Sequence, residues 1–282
     1  MMDSEPIALV DGDPIVYSAA FSLQDYALVD AEHGQVIDIF SNRSEARQYA
    51  DDIGLEDYVL DPYIEDYQAC QDYIYSALFF FIEDICASTD AHHMKIFVTG
   101  PNSFRKELAP DYKANRKDFV RPLLYSQVKE MLVEKFGAYY AKDGFEADDA
   151  LADEARMLFK NGLEESYVIC TIDKDLDTVP GWHYRWAIYN KPSSYYWVTP
   201  EESRHHYWIS VLTGDNADNI IGLKGIGPKK AEKIVAGCET DDQYERACEQ
   251  AYFELYNGPY EADMQMEKNM QLLYLGTDRH GL

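Results

Sequence analysis

The chain has 282 residues, 46% hydrophobic and 27% charged, enough apolar material for one large domain or a domain with an appendix, and too much for a disordered or collagenous chain. Its 25 basic residues against 51 acidic ones give a net charge of −26, a sign that taken alone argues against a phosphate-rich partner. The greediest apolar run, Ala77–Ile82, falls far short of a membrane span, the first residues lack a basic-then-apolar leader, and an odd set of cysteines without a CxxC pair points to a reduced, cytoplasmic setting without a membrane.

In chain order, Ile7–Val10 is a short apolar run that stops at Asp11-Gly12-Asp13-Pro14, the pattern of a buried strand ending in a loop. Residues 14–90 are rich in tyrosine and acids, with helices expected near Ser44–Ile53 and Tyr63–Cys86. Lys95–Val98 reads as a second buried strand. A helix follows Pro122, with Leu123, Leu124, Val128, Met131 and Leu132 as its apolar stripe. Glu146–Phe159 is another, carrying Leu151, Ala155, Leu158 and Phe159. Tyr167–Ile172 is a third strand, running straight into Asp173-Lys174-Asp175, and Trp182–Ile188 is a candidate fourth. Thr199-Pro200-Glu201-Glu202 signals a helix start: a capping Thr, Pro at the first helical position and Glu three residues past the cap. Beyond about residue 200 the chain reads as helical. Alternating strands and helices imply a parallel sheet, with ligands beyond the carboxyl ends of its strands.

Charge is unevenly spread. Residues 1–90 hold twenty acids and two bases, and 239–282 hold ten acids and three bases, while 91–238 is almost balanced. Two basic islands lie in that middle stretch, one from Arg105 to Arg121 and one with Lys224, Lys229, Lys230 and Lys233. The acidic periphery would repel DNA everywhere except at a local site, or would dock a basic partner such as a replication or recombination protein.

Four segments concentrate carboxylates: Asp11 and Asp13; Glu146, Asp148 and Asp149; Asp173 and Asp175; Asp215 and Asp218. Glu146 and Asp149 share a helix face by their spacing, as do Asp215 and Asp218. Acids in a first helical turn also have a plain explanation in the helix dipole. Oxygen-only ligands suit hard divalent cations, and carboxylates this close cannot all ionise without one. Two such ions would activate a water and stabilise the leaving oxygen of a phosphodiester. Gly225-Ile226-Gly227-Pro228 makes a tight turn opening a helix, whose exposed N–H groups suit a phosphate, directly or through a monovalent cation, with Lys229 and Lys230 adding charge. The plain alternative is a glycine-rich helix connection with Ile226 packed inward. In Phe104–Lys117, Tyr112 suits stacking on a base and Lys113 and Arg116 suit phosphate, with Arg105, Lys106 and Lys117 either DNA-binding or part of a solvated face.

The order DGD, FRKELxPxYKANR, FEADD, TIDKD, GDxxDNIxGxxGIGxKKA, over roughly residues 7–236, resembles the flap endonuclease/5′→3′ exonuclease superfamily. It looks closest to the stand-alone 5′→3′ exonucleases of tailed phages, related to the nuclease domain of bacterial DNA polymerase I. The resemblance implies an α/β fold with a PIN-like (resolvase-like) nuclease core around a central, mainly parallel sheet. It places that core at about 1–198, with an acidic helical insertion near 14–90 and an arch or clamp near 102–135. A C-terminal helical region, 199–282, would hold a helix-hairpin-helix module and an acidic tail. It also implies two Mg²⁺ ions, replaceable by Mn²⁺, the first held by Asp11, Glu146 and Asp148, the second by Asp149, Asp173, Asp175, Asp215 and Asp218. Lys113 and Arg116 would stabilise charge on the scissile phosphate, Tyr112 would stack near the displaced nucleotide, and Gly225 and Gly227 would grip duplex, with K⁺. The implied activity is metal-dependent cleavage of DNA from a 5′ end or flap, in a host cytoplasm if phage-encoded. The rivals are a catalytically weakened DNA-structure-binding relative and a metal-dependent ribonuclease. One position departs from the family: its usual Asp after the second strand falls on Thr99 or Gly100, and no carboxylate lies between Met94 and Lys106. That implies a weaker first metal site, compensation by Asp13, or lost activity. Persistence of every other acidic motif favours an active enzyme.

Overall fold

Short runs of β-branched and aromatic residues become strands, and most stop at an acid or a turn. The computed structural model describes residues 5–116, 119–188, 191–256 and 258–277. In chain order β1 (Ile7–Asp11) leads into α1 (Gly12–Ser22), β2 (Asp25–Asp30), β3 (Val36–Phe40), α2 (Arg43–Asp52), β4 (Tyr58–Tyr63) and α3 (Tyr67–Thr89). Next come β5 (His93–Val98), α4 (Phe104–Leu108), α5 (Tyr125–Phe136), β6 (Tyr139–Tyr140) and α6 (Ala147–Lys160). β7 (Tyr167–Cys170), β8 (Gly181–Arg185), β9 (Ser194–Val198) and α7 (Pro200–Thr213) follow. The chain ends in a short hairpin, β10 (Gly214–Asp215) with β11 (Ile220–Ile221), and helices α8 (Pro228–Ile234), α9 (Asp241–Leu255) and α10 (Pro259–Leu273).

The chain divides into two compact units. The first comprises Met1–Asp11, Ile85–Phe119 and Tyr139–Leu282. Its six-stranded sheet runs β6-β5-β1-β7-β8-β9, parallel throughout except for the β8–β9 pair. Central strands of a parallel sheet are covered on both faces, which is why they read as unbroken apolar runs; Ala8, Leu9, Val10 and all of β7 are wholly buried. Leu151, Ala152 and Ala155 of α6 pack against Leu9 and Ile169. Each such fully buried leucine or isoleucine contributes about 1.5–3 kcal/mol. A second core in the same unit gathers Trp208, Val211 and Leu212 of α7 with Ala231, Cys248, Tyr252 and Met266 from the last three helices. The expected start of α7 is in place: Thr199 Oγ1 accepts from the Glu202 N–H at 3.1 Å, and Glu202 Oε2 accepts from the Thr199 N–H at 2.9 Å.

The second unit comprises Gly12–Asp84 and Val120–Ala138. Here the sequence reading needs correction. The acidic insertion is not only helical: between α1 and α3 it builds an antiparallel sheet, β3-β2-β4, packed on α2. Tyr26, Ala27 and Leu28 form its buried centre. In β3 Ile37 and Ile39 flank Asp38, and in β4 Asp61 follows Val59 and Leu60, so acids break the apolar runs into pieces too short to read as buried strands. The stretch expected as an arch, 102–135, contributes α4 to the first unit and α5 to the second. Among the described residues no helix is long and apolar enough to cross a membrane.

Candidate active site

β1, β5 and β7 end side by side, with Asp11 paired to Phe97 and Val10 to Cys170. Asp11 thus sits at the carboxyl edge of the sheet, where ligands bind in parallel folds. It is buried, and its Oδ2 accepts from Thr171 Oγ1 at 3.0 Å. The Asp173 N–H donates to the same hydroxyl at 3.0 Å. Thr171, which sequence reasoning passed over, therefore ties two acidic segments together. Its only sequence signal was its place between an apolar strand and an acidic pair.

The second edge position is Thr99, following β5. Its Oγ1 accepts from the Ala147 N–H at 2.9 Å, so it caps the first turn of α6. That turn carries Glu146, Asp148 and Asp149, and their environments differ sharply. Burial alone would raise the Glu146 carboxyl, but Lys113 and Arg105 overcome it and hold it below the ordinary carboxylate value. Lys113 Nζ lies 3.1 Å from Glu146 Oε2 and 3.5 Å from Asp218 Oδ2. Asp148 is pushed well above its ordinary value, first by burial and then by Asp149 beside it.

Asp149 was expected as a metal ligand, and the structure gives it other work. It is 0% exposed, and both oxygens are taken: Oδ2 by Arg105 at 2.7 Å and the Glu146 N–H at 3.0 Å, Oδ1 by Arg105 at 2.7 Å and the Gly276 N–H at 2.9 Å. Arg105, expected on a DNA-facing surface, is buried against it. Its Nε and Nη2 also donate to the carbonyls of Leu272 and Tyr274, at 2.8 and 3.0 Å. Tyr112 is likewise no exposed stacking platform: it is buried, and its hydroxyl lies 3.0 Å from Glu146 Oε2 and 2.8 Å from Asp218 Oδ2. Burial, with Glu146 beside it, pushes its ionisation up, which keeps that hydroxyl a donor.

Asp215 and Asp218 are placed by the β10–β11 hairpin. Gly214 has φ +68°, and a Cβ there would lie 2.3 Å from the Gly222 nitrogen and the Ile220 carbonyl oxygen, so only glycine fits. The Ala217 N–H donates to Asp215 Oδ1 at 2.8 Å, and Arg116 binds Asp218 Oδ1 at 2.5 Å. Together Tyr112, Lys113, Arg116, Asp148, Asp173, Asp175, Asp215 and Asp218 line one cleft of about 330 Å³, with Arg105 at its back. Asp175 is pushed up to about 7, by burial and then by Asp173 and Asp215, with a hydrogen bond to Asp215. Asp177 also lines the cleft, and its carboxylate is engaged by Arg185 at 2.6 Å and Tyr196 at 2.7 Å.

The donor set fits hard divalent cations in kind: five of the eight predicted carboxylate ligands line the cleft, and no histidine or cysteine is among the eight. Crowding that raises Asp148 and Asp175 is the cost a cation between them would remove. Their geometry is not closed around an ion. Among the described residues no three acidic, histidine or cysteine side chains converge as a metal site, and Lys113 and Arg116 reach into the acids instead. Asp13 belongs to the second unit, with Lys129 Nζ 3.5 Å from its Oδ1.

The remaining predicted DNA contacts lie outside the cleft lining. Lys106, Gly225, Gly227, Lys229 and Lys230 are exposed, and Lys117 lies outside the described residues. Lys230 Nζ donates to the Gly225 carbonyl at 2.8 Å, while Ile226 packs against the core of the last helices. His205 bridges Tyr244 at 3.1 Å and Glu232 at 2.9 Å.

Comparison with known proteins places this geometry. Residues 66–205 match the model of the 5′-3′ exonuclease N-terminal, resolvase-like domain. The chain is 32% identical over 161 residues to a 5′-3′ exonuclease of Mycoplasma pneumoniae, covering 52% of this chain and 54% of that protein. It is 31% identical over 180 residues to DNA polymerase I of Rhizobium leguminosarum, covering 57% of this chain and 16% of the polymerase. It thus spans about half the length of the first and a small part of the second. Among solved structures, a T5 protein co-crystallised with metal ions superposes with a TM-score of 0.55 at 16% identity, covering 95% of this chain and 88% of that one. A variant of the T5 5′-exonuclease gives 0.52 at 14% identity, covering 98% and 95%. The family match runs from the start of α3 through the segments with Glu146, Asp148, Asp173 and Asp175 into α7, and with that the chain belongs to the flap endonuclease/5′→3′ exonuclease superfamily.

Proposed function

We propose that the protein is a divalent-metal-dependent nuclease that hydrolyses DNA phosphodiesters from a 5′ end or at a 5′ flap. One observation carries this: a single cleft at the carboxyl edge of the sheet brings Asp148, Asp173, Asp175, Asp215 and Asp218 together opposite Lys113 and Arg116. Asp11 and Glu146 stand behind that wall, joined to it through Thr171, Tyr112 and Lys113. Bound divalent ions, Mg²⁺ with Mn²⁺ as substitute, would supply activation of water and neutralisation of the leaving oxygen. The carboxylates would hold them. Asp149 is left out of that set because its lone pairs are spent on Arg105 and main-chain N–H groups.

The chain's own cations do the remaining work. Arg116 is half exposed and Lys113 a quarter exposed, so both can exchange their carboxylate partners for a phosphate that enters the cleft. There they would stabilise charge developing on the phosphoryl oxygens. Water adds to phosphorus, one P–O ester bond breaks, and the products are a phosphate monoester and an alcohol. No nucleophilic side chain is required. The exposed Gly225–Lys230 turn would bind the duplex backbone, and a monovalent cation such as K⁺, held by that turn, would supply further positive charge.

The test is release of product from 5′-labelled duplex and flap DNA, with Mg²⁺ and with EDTA, beside Asp173→Asn. Cleavage that needs metal and drops by about 10²-fold or more in the variant supports the nuclease. Thr99 motivates a second reading. Where the family carries an acid it offers a hydroxyl already committed to Ala147. Tight DNA binding without cleavage, even in Mn²⁺, would replace the enzyme with a DNA-structure-binding relative.

A further inference from the structure

The first turn of α6 is held from the far end of the chain. Leaving the last turn of α10, the stretch from Leu272 to Thr277 bonds through Leu275, Gly276 and Thr277 to three residues on one stripe of α6, Arg156, Asp149 and Asp153. Gly276 donates its N–H to Asp149 Oδ1 at 2.9 Å. Arg156 donates to the Leu275 carbonyl and lies over the Tyr274 ring, 4.6 Å from its centroid. Thr277 donates its N–H to both Asp153 oxygens at 3.0 Å and its hydroxyl at 2.5 Å. Arg105 closes the arrangement from α4, spanning Asp149 on one side and the Leu272 and Tyr274 carbonyls on the other. Gly276 has φ +134°, a backbone conformation that favours glycine.

We propose that Leu272–Thr277 is a strap that sets the position of the first α6 turn, with Arg105 and Asp149 as positioning residues for Glu146 and Asp148. This rests on the nuclease reading to the extent that Glu146 and Asp148 hold metal. The physical reason is specific to a buried pair. Asp149 accepts four hydrogen bonds, two from Arg105 and two from main-chain N–H groups, and these fix its position in the interior. The Glu146 N–H it accepts from fixes the backbone one residue before the helix, and that backbone aims the Glu146 side chain. Ending the chain at Leu275 strips Asp149 of the Gly276 donor and Asp153 of Thr277, while Arg105 keeps the Leu272 and Tyr274 carbonyls. The acids of the first turn then lose their aim before the fold is lost.

The experiment compares the full chain with a chain ending at Leu275 and with Asp149→Asn. Two signals are read: amide hydrogen exchange of residues 146–152 in the metal-free protein, and Mn²⁺ binding by electron paramagnetic resonance. In the shortened chain, exchange at 146–152 should accelerate while β7 stays protected, and Mn²⁺ affinity should fall about 10-fold, the scale of lost outer-shell support. Asp149→Asn should weaken affinity with the same number of ions bound, and the two changes together should cost less than their sum. Unchanged exchange and affinity in the shortened chain would overturn the strap. Loss of one bound ion in Asp149→Asn alone would make Asp149 a ligand and overturn its positioning role. Should the shortened chain not fold, Asp153→Ala, which removes the Thr277 acceptor on the solvent side, is judged by the same criteria. A full-length protein that binds no Mn²⁺ would sink the nuclease reading, and exchange at 146–152 would then decide the strap by itself.

Discussion

Asp175 carries the most informative single charge. Its carboxyl is pushed up to about 7 from an ordinary 3.8, by burial and then by Asp173 and Asp215. Between those values the folded protein binds more protons than the unfolded chain, so stability falls as pH rises through that window. Asp148 is raised as well and acts in the same sense. Glu146 is lowered, so its contribution is lost on the acid side, as pH falls below about its ordinary 4.5. Metal-free protein should therefore melt at a higher temperature at pH 5.5 than at pH 7.5. Asp175→Asn should flatten that difference and stabilise the apo form at pH 7.5 by on the order of 1 kcal/mol or less, since the side chain is 36% exposed and solvent screens it. Mg²⁺ should raise the melting temperature more at pH 7.5 than at 5.5. Thermal melts at both pH values check all three, and a pH-independent difference between Asp175→Asn and the parent would refute the assignment. Tyr112 gives a second residue-scale prediction. Tyr112→Phe keeps the ring but removes a buried donor shared by Glu146 and Asp218, and should cost about 1–3 kcal/mol by denaturant titration without DNA. A stacking platform would instead leave the free protein's stability unchanged.

At the scale of elements, the start of α6 depends on a residue from another strand. Thr99 follows β5 and caps the Ala147 N–H, so Thr99→Val, of the same shape, should cost about 1 kcal/mol in chemical denaturation. Thr99→Asp keeps an acceptor there and adds a carboxylate at the edge where the family has one. It should raise Mn²⁺ affinity several-fold by titration, and an unchanged affinity would mean that this edge position does not face the ion. The β10–β11 hairpin works by the same logic, with Gly214 letting two strands approach so closely that Asp215 and Asp218 share the cleft wall.

Across the whole molecule, charge is the organising quantity. A net −26 repels DNA at long range, and only local islands offset it. Lys229 and Lys230 stand exposed beside the Gly225–Gly227 turn, while Arg105 of the other island is consumed by Asp149. The double change Lys229→Gln, Lys230→Gln should weaken duplex binding evenly across sequences and reduce the slope of log affinity against log salt by about 2. Arg105→Gln should leave that slope unchanged while lowering stability, because its charge never meets solvent. Fluorescence anisotropy over a salt series separates the two.

Where physics is local, the amino-acid sequence determined the outcome. Apolar runs at Ile7–Val10 and Tyr167–Cys170 had to be strands buried on both faces, the Thr199 capping box had to start α7, and acids placed just past strand ends had to gather at one edge of a parallel sheet. The spacing of the FEADD and GDxxDN segments carried the family and most of the cleft. Tertiary structure alone decided which acids were available. Asp148 and Asp149 are neighbours, yet one faces the cleft and the other is neutralised by Arg105, 44 residues earlier, with main-chain partners 167 and 169 residues from that arginine. The β2–β3–β4 sheet escaped notice because acids bound or interrupt its short apolar runs, and strand pairing depends on partners remote in sequence. A carboxylate's role follows from its donors and its burial, and both are set by residues that only the folded chain brings within 3 Å of it.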